Sequence, residues 1–172
     1  KQMYNMTAVP EHLIVVGSGV TGAEFASAYM NLGAKVTLVS SREQVLPGED
    51  PDAARVLEKV FTRGGMTLLA KSRAEKVENT GSGVIVTLAD GSTVEGSHCL
   101  MAVGGVPNTV GLGLEEAGVQ LEGSGHIRVN KVGRTSVPNI YAAGDCTTFV
   151  PLASVSSMLG RTAVFHAMGD SV

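Results

Sequence analysis

Residues 15–26 read VVGSGVTGAEFA, and the three glycines within this stretch decide what kind of fold the chain makes. Gly-x-Gly-x-x-Gly alone is a weak pattern, because glycine-rich turns arise for many structural reasons. Its context gives it weight. Upstream, residues 13–16 form an unbroken apolar run between His12 and Gly17, as expected of a strand buried on both faces of a parallel sheet. Downstream, Phe25, Tyr29 and Leu32 recur at helical spacing over residues 21–32, and Gly33 stands where a helix C-terminal glycine belongs. Residues 35–39 then alternate into a second strand. The sum is a βαβ opening with a glycine turn at its first strand-to-helix junction.

In such a turn each glycine has its own reason to be glycine. Gly17 allows the tight turn, Gly19 lets the backbone approach a phosphate, and Gly22 lets helix and strand pack closely. The helix start then offers unpaired N–H groups and the positive end of its dipole to a pyrophosphate. Gly17, Ser18, Gly19, Val20, Thr21 and Gly22 are therefore the expected cradle of a dinucleotide. The competing reading is a plain β-turn-α with no ligand.

The tip of the second strand selects the dinucleotide. An acid there holds the adenosine ribose of NAD, whereas this chain has Val39-Ser40-Ser41-Arg42. With no carboxylate to repel it, a 2′-phosphate is expected to be met by the hydroxyls of Ser40 and Ser41 and the Arg42 guanidinium. Glu43 lies past the turn and is a poor substitute for the acid.

Farther along, GEDPDAARVLEKVFTRGG (residues 48–65) carries helix punctuation at both ends: Asp50 as cap, Pro51 in the first turn and Gly64 as terminator. Val56, Leu57, Val60 and Phe61 are expected to face inward, and residues 66–70 to form another parallel strand. Residues 74–104 change texture to three or four short strands. Gly81-Ser82-Gly83 and Asp90-Gly91 mark their hairpin turns, and a last strand over 98–103 ends the meander. The glycine-rich stretch 106–139 reads as a connection with a hairpin near residues 123–125. A short buried strand at 140–143 and a small-residue helix over 153–168 follow.

Bulk properties exclude several classes. The chain has 172 residues, a net charge of −3 and no basic stripe, which argues against nucleic acid as a partner. The longest nearly uncharged run, residues 135–160, is broken by Asp145, Pro138 and Pro151, so it is no membrane helix. Cys99 and Cys146 are too far apart in sequence for a C-x-x-C or C-x4-C pair or for metal-ligand spacing. The expectation is a cytoplasmic protein with no metal and no disulfide scaffold.

A second stretch, TSVPNIYAAGDCT (residues 135–147), closely resembles the second FAD-binding motif of the FAD-dependent pyridine nucleotide-disulfide oxidoreductases. In that family a short strand delivers Gly-Asp to FAD hydroxyls, which implies the role for Gly144 and Asp145. Residues 17–39 resemble its NAD(P)H motif, with Glu24 two residues after the third glycine. The alternative for Glu24 is a first-turn acid favoured by the helix dipole. CLMAVGGVPNT (residues 99–109) resembles the strand returning to the FAD domain, which implies that Val103 and Gly104 line the cofactors. Gly105 stands where the family usually has arginine. VPLASVSSMLGRTA (residues 150–163) resembles the helix facing the flavin pyrimidine, with Leu152 and Ala153 at its start.

Lipoamide-dehydrogenase-like flavoproteins, NAD(P)H:quinone reductases among them, are the nearest likeness. The implied fold is a Rossmann-like three-layer ββα NAD(P)-binding domain with an antiparallel β-meander over residues 9–103, then part of an FAD-binding domain over 104–172. The family's upstream FAD glycine motif, C-x4-C pair and C-terminal dimerisation domain with its His-Glu pair do not occur in this sequence. The expectation is a central fragment, inactive alone, of a homodimeric FAD- and NAD(P)H-dependent oxidoreductase that passes hydride to flavin and on to a disulfide or quinone. No catalytic residue is assigned: His126 and His166 lack the geometry and partner of a base, and Cys146 reads as a small packed residue. A non-catalytic dinucleotide sensor is the alternative, disfavoured because a sensor of NAD(P) has no use for Gly144-Asp145.

Overall fold

A computed structural model of the chain describes residues 2–172, which divide into two compact units, one ending at Gly104 and the other Gly105–Val172. The first unit is α/β in three layers. Its middle layer is a parallel sheet of β1 (His12–Val16), β2 (Lys35–Val39), β3 (Thr67–Leu69) and β7 (His98–Met101), in the order β3-β2-β1-β7. Helices α1 (Val20–Asn31) and α2 (Pro51–Arg63) belong to one face. On the other lies an antiparallel meander of β4 (Ala74–Asn79), β5 (Val84–Leu88) and β6 (Thr93–Gly96).

Strand periodicity builds both cores. Leu13 and Val15 point into the helical side with Val36, Leu38, Ala23, Ala26 and Phe61. Ile14 and Val16 point the other way, onto Val39, Val86 and Leu88. An alternating side-chain direction explains why β1 reads as continuously apolar: both of its faces are covered.

Several expectations need correcting. The strand expected at 98–103 is shorter and does not belong to the meander. It pairs in parallel with β1, Leu13 opposite His98 through Val16 opposite Met101. Gly96 and Ser97 make the change of sheet possible. A side chain at Gly96 would press on Ile14 and the His12 carbonyl, and the Ser97 hydroxyl both donates to His12 O and accepts from His12 N, each at 3.0 Å. Val56 and Val60 are exposed, and Phe61 with Ala54 forms the buried edge of α2. Leu32 is exposed too, since the buried stripe of α1 is Gly22, Ala23, Ala26 and Tyr29. Small residues there let helix and sheet approach closely. As expected, Asp50 caps α2 by accepting from Asp52 N and Ala53 N and Gly64 ends it as the C-cap, with left-handed Gly65 (φ 94°) following.

In the second unit, residues 140–143 are not a buried strand. Tyr141 makes a single bridge to Arg134, and the segment is half-buried. The turn at 123–125 closes through Gly125 N to Glu122 O at 2.8 Å, and α3 spans Ala153–Ala167. No helix among the described residues is long and apolar enough to cross a membrane.

His12 links the sheet to acidity. Its Nε2 lies 2.9 Å from the Thr37 hydroxyl. Burial first, then the Lys35 ammonium, push its imidazole below the ordinary 6.5, with Glu11 opposing. The folded state thus binds this proton more weakly than the unfolded chain. The stabilisation is full above pH 6.5 and is lost as pH falls from there through the lowered folded value. His12→Gln is expected to flatten the urea midpoint against pH across that window. A midpoint that falls as steeply in the variant would clear His12 of the effect.

Candidate functional site

The C-terminal ends of the parallel strands hold the candidate site. β1 sits between β2 and β7, so its carboxyl end is where chain connections diverge, the place at which open α/β sheets leave a crevice. Gly17 leaves β1 with φ 110°, a conformation that favours glycine, and its N–H donates to Val39 O at 2.9 Å. A Cβ on Gly17 would collide with the Ala102 carbonyl oxygen and crowd Val103 N at 3.3 Å. Val103 and Gly104 (φ 103°) are exposed and continue from β7 beside the turn.

Gly22 faces inward, and a Cβ there would collide with the Gly17 carbonyl. Gly19 is different in kind. It is the extended N-cap of α1, with φ −68° and ψ −176°, and a Cβ on it would meet nothing within 4 Å. Sterics within the protein explain the glycines at 17 and 22 but not the one at 19.

The start of α1 has no side-chain cap, unlike α2 with its Asp50. Its first intrahelical bond is Ala23 N to Gly19 O at 2.9 Å, so the N–H groups of Val20, Thr21 and Gly22 have no intrahelical acceptor. Val20, Thr21 and Glu24 are exposed around it. An apolar groove of about 450 Å³ runs past Val20, Glu24, Leu46, Leu57 and Phe61.

At the tip of β2 the expected residues separate. Ser41 and Arg42 are exposed, and Arg42 borders an open hollow of about 550 Å³ lined also by Glu43, Gln44, Pro47 and Gly48. Ser40 is only 3% exposed, and its hydroxyl lies 2.7 Å from that of Ser18, itself 5% exposed. It also accepts from Arg42 N at 3.0 Å. The expectation of two hydroxyls on a 2′-phosphate therefore narrows to Ser41 beside Arg42. Glu43 is paired with Lys71 at 2.8 Å, a hydrogen bond that holds its carboxyl below the usual range.

Sequence patterns gave no hint of Lys71 or Glu58 here, because they come from other elements. Glu58 Oε1 accepts from Val45 N at 2.8 Å, and Lys71 N donates to Arg42 O at 2.9 Å. Leu46 and Lys71 are the two non-glycine residues with left-handed backbone among the described residues, φ 53° and 54°, and both bracket this loop. Such conformations cost about 1–3 kcal/mol each and persist where surrounding bonds over-determine them.

The second unit contains the remaining candidates. Gly144 has φ 95° and opens a turn closed by Thr147, whose N–H and hydroxyl both donate to Gly144 O, at 2.9 and 2.7 Å. Thr147 is 2% exposed, while Asp145 at the turn's apex is exposed. The buried threonine thus fixes the direction in which the carboxylate emerges. The Cys146 thiol lies 3.6 Å from Ala143 O. Leu152 is the extended N-cap of α3, again without a side-chain cap, and Leu152 and Ala153 are exposed. His166 Nδ1 lies 2.8 Å from the Tyr141 hydroxyl, a tie between α3 and the preceding segment. Cys99 is half-buried, and burial raises its thiol above the ordinary range, the reverse of an activated nucleophile.

Comparison with known proteins adds what one chain does not show. The family model described as pyridine nucleotide-disulphide oxidoreductase matches residues 1–167. A relative from Mycobacterium tuberculosis, NAD(P)H dehydrogenase (quinone), is 56% identical over 172 residues, covering 100% of this chain and 35% of its own length. Dihydrolipoyl dehydrogenase from Staphylococcus aureus is 36% identical over 162 residues, covering 92% of this chain and 35% of its own. The crystal structure of LpdA from Mycobacterium tuberculosis superposes with a TM-score of 0.92 at 57% identity, over 99% of this chain and 37% of that one. The chain thus spans little more than a third of the length of these relatives.

Proposed function

The chain belongs to the pyridine nucleotide-disulphide oxidoreductase family, and from that premise we propose that it is the NAD(P)H-binding portion of a flavoprotein that moves hydride from NAD(P)H to FAD and on to a quinone. The observation that carries the dinucleotide half is Gly19. No neighbour among the described residues requires glycine there, and a chain that omits a side chain beside uncapped helix N–H groups has left room for a ligand. Gly17, Ser18, Val20, Thr21 and Gly22 complete the turn. Glu24, Val103 and Gly104 are assigned to the nicotinamide end, and Ser41 and Arg42 to the adenosine end.

The second unit fits a flavin by its donor set. Asp145 is exposed at the apex of a rigid turn and offers acceptors to hydroxyl groups, and the uncapped start of α3, Leu152 and Ala153, offers donors to a group that gains negative charge. Bound FAD would supply the hydride acceptor, which no side chain of this protein can replace. The role of these residues is to hold and orient, so catalytic side chains are not assigned. A quinone is favoured as terminal acceptor by the name of the 56%-identical relative. The dihydrolipoyl dehydrogenase at 36% identity supports a disulfide as the second reading. The relatives lend nothing to a non-catalytic sensor.

Calorimetric titration of the chain with NADH and NADPH tests the turn, and saturable binding below millimolar is expected. No heat from either, with a native circular dichroism spectrum, would refute the site. For the longer flavoprotein, the flavin absorbance is expected to bleach with NAD(P)H under anaerobic conditions and to return on adding a quinone. Return only with a disulfide would move the assignment to the second reading.

A further inference from the structure

The hydroxyls of Ser18 and Ser40 lie 2.7 Å apart, both buried, and they join the glycine turn to the tip of β2. We propose that this pair is a positioning device for cofactor selectivity: it locks the loop carrying Ser41 and Arg42 to the turn that holds the pyrophosphate, so that the guanidinium meets a 2′-phosphate in fixed register. The inference rests on the dinucleotide reading of the turn and gives the buried hydroxyls of Ser18 and Ser40 a role through each other rather than on the ligand.

Proton accounting shows why the pair acts as one unit. Each hydroxyl has one proton to give. Ser40 Oγ accepts from Arg42 N at 3.0 Å and lies 3.1 Å from Arg42 O, while Ser18 Oγ lies 3.4 Å from Gln44 O. In one arrangement Ser18 donates to Ser40, which donates to Arg42 O. In the other, Ser40 donates to Ser18, which donates to Gln44 O. The first uses the shorter second bond and is the favoured one. In both, the protons are consumed inside the protein, and none is left for a phosphate.

Backbone bonds complete the frame. Leu46 N donates to Ser18 O at 2.8 Å, so the same turn residue is gripped by its side chain and its carbonyl. Ser72 N donates to Ser40 O at 2.7 Å and Ser40 N to Leu69 O at 2.8 Å, holding the tip from the β3 side. The loop from 40 to 46 is thereby fixed at both ends, and Arg42 sits between. A backbone held in place at Arg42 leaves less freedom to lose when its side chain engages a ligand, which favours the ligand that uses it.

Removing the link should therefore cost NADPH more than NADH. Calorimetry on the chain is expected to show Ser18→Ala weakening NADPH about fivefold and NADH less than about twofold, and Ser40→Ala weakening NADPH about tenfold. The double variant should be no weaker than Ser40→Ala alone, since two partners of one bond are not additive. Ser40→Thr keeps the hydroxyl and should hold the NADPH/NADH ratio near that of the unaltered chain. If Ser40→Ala does not fold, Ser18→Ala and Ser40→Thr carry the test. Equal loss of both dinucleotides in Ser18→Ala, or single effects that multiply in the double variant, would overturn the positioning role. An unaltered chain that binds neither dinucleotide would overturn the site reading and this inference together.

Discussion

Gly22→Ala is expected to destroy both the fold around the turn and dinucleotide binding, whereas Gly19→Ala is expected to leave the fold intact and remove binding alone. The two positions differ by three residues and share one motif, yet the space around them is opposite. A methyl group at Gly22 runs into the Gly17 carbonyl, which is backbone and cannot rotate away, so α1 must lift off β1. Overpacking costs about 1–3 kcal/mol and sometimes more, and a collision with the main chain belongs at the top of that range. Against a total stability of about 5–15 kcal/mol, that loosens or melts the first unit. At Gly19 the methyl meets no protein atom, and φ −68° is ordinary for alanine. Its urea midpoint should match that of the unaltered chain, while NADH and NADPH affinity should both fall by about tenfold or more as the methyl displaces the pyrophosphate. Unchanged affinity in Gly19→Ala would mean that no phosphate approaches there. An unchanged midpoint in Gly22→Ala would mean that α1 tolerates displacement.

What could be read from the sequence followed from how local each signal was. The first βαβ unit is encoded in consecutive residues: an apolar run, a glycine turn, a helix and a returning strand. All four elements stand where the pattern placed them to within a residue or so. The meander was visible through its Gly and Asp-Gly turns. What escaped were arrangements made by residues far apart. β7 reads as the end of the meander because it follows β6 after one residue, and only the tight passage of Gly96 over Ile14 sends it into the parallel sheet. Val56 and Val60 carried the apolar signature of an inward face but sit on the outward one, since α2 buries only a narrow edge at Ala54 and Phe61.

The site divides the same way. Gly17 and Gly22 were legible with their separate reasons, because backbone sterics act locally, whereas at Gly19 no steric reason appears. Ser40 was legible as a missing acid, but its burial was not. Its bond to Ser18 spans 22 residues, and hydroxyl pairs leave no periodic trace. Lys71 stands 28 residues beyond Glu43 (71 less 43), and no spacing rule would join them. Nor did the sequence mark Thr147 as more than the end of a motif, although its hydroxyl to Gly144 O decides how Asp145 is presented.

Arg42→Ala should then separate the two dinucleotides more sharply than any other exposed change. Among the described residues Arg42 pairs with no carboxylate, and the one acid beside it, Glu43, is held by Lys71. The charge a 2′-phosphate would meet is therefore a guanidinium with its donors available and a carboxylate whose field is partly cancelled. Charge-assisted bonds of this kind contribute about 1.5–3 kcal/mol, so NADPH should weaken about 10- to 100-fold in Arg42→Ala. NADH, which brings no phosphate to this position, should change less than about twofold. Because Arg42 is exposed, the preference is screened: raising salt from about 0.05 to 0.5 M should erode NADPH binding in the unaltered chain and do little in the variant. Arg42 is exposed and its side chain makes no ion pair among the described residues, so the urea midpoint should not move. Parallel loss of both dinucleotides in Arg42→Ala would remove the 2′-phosphate from this end of the site and leave Ser41 and Arg42 as solvated loop residues.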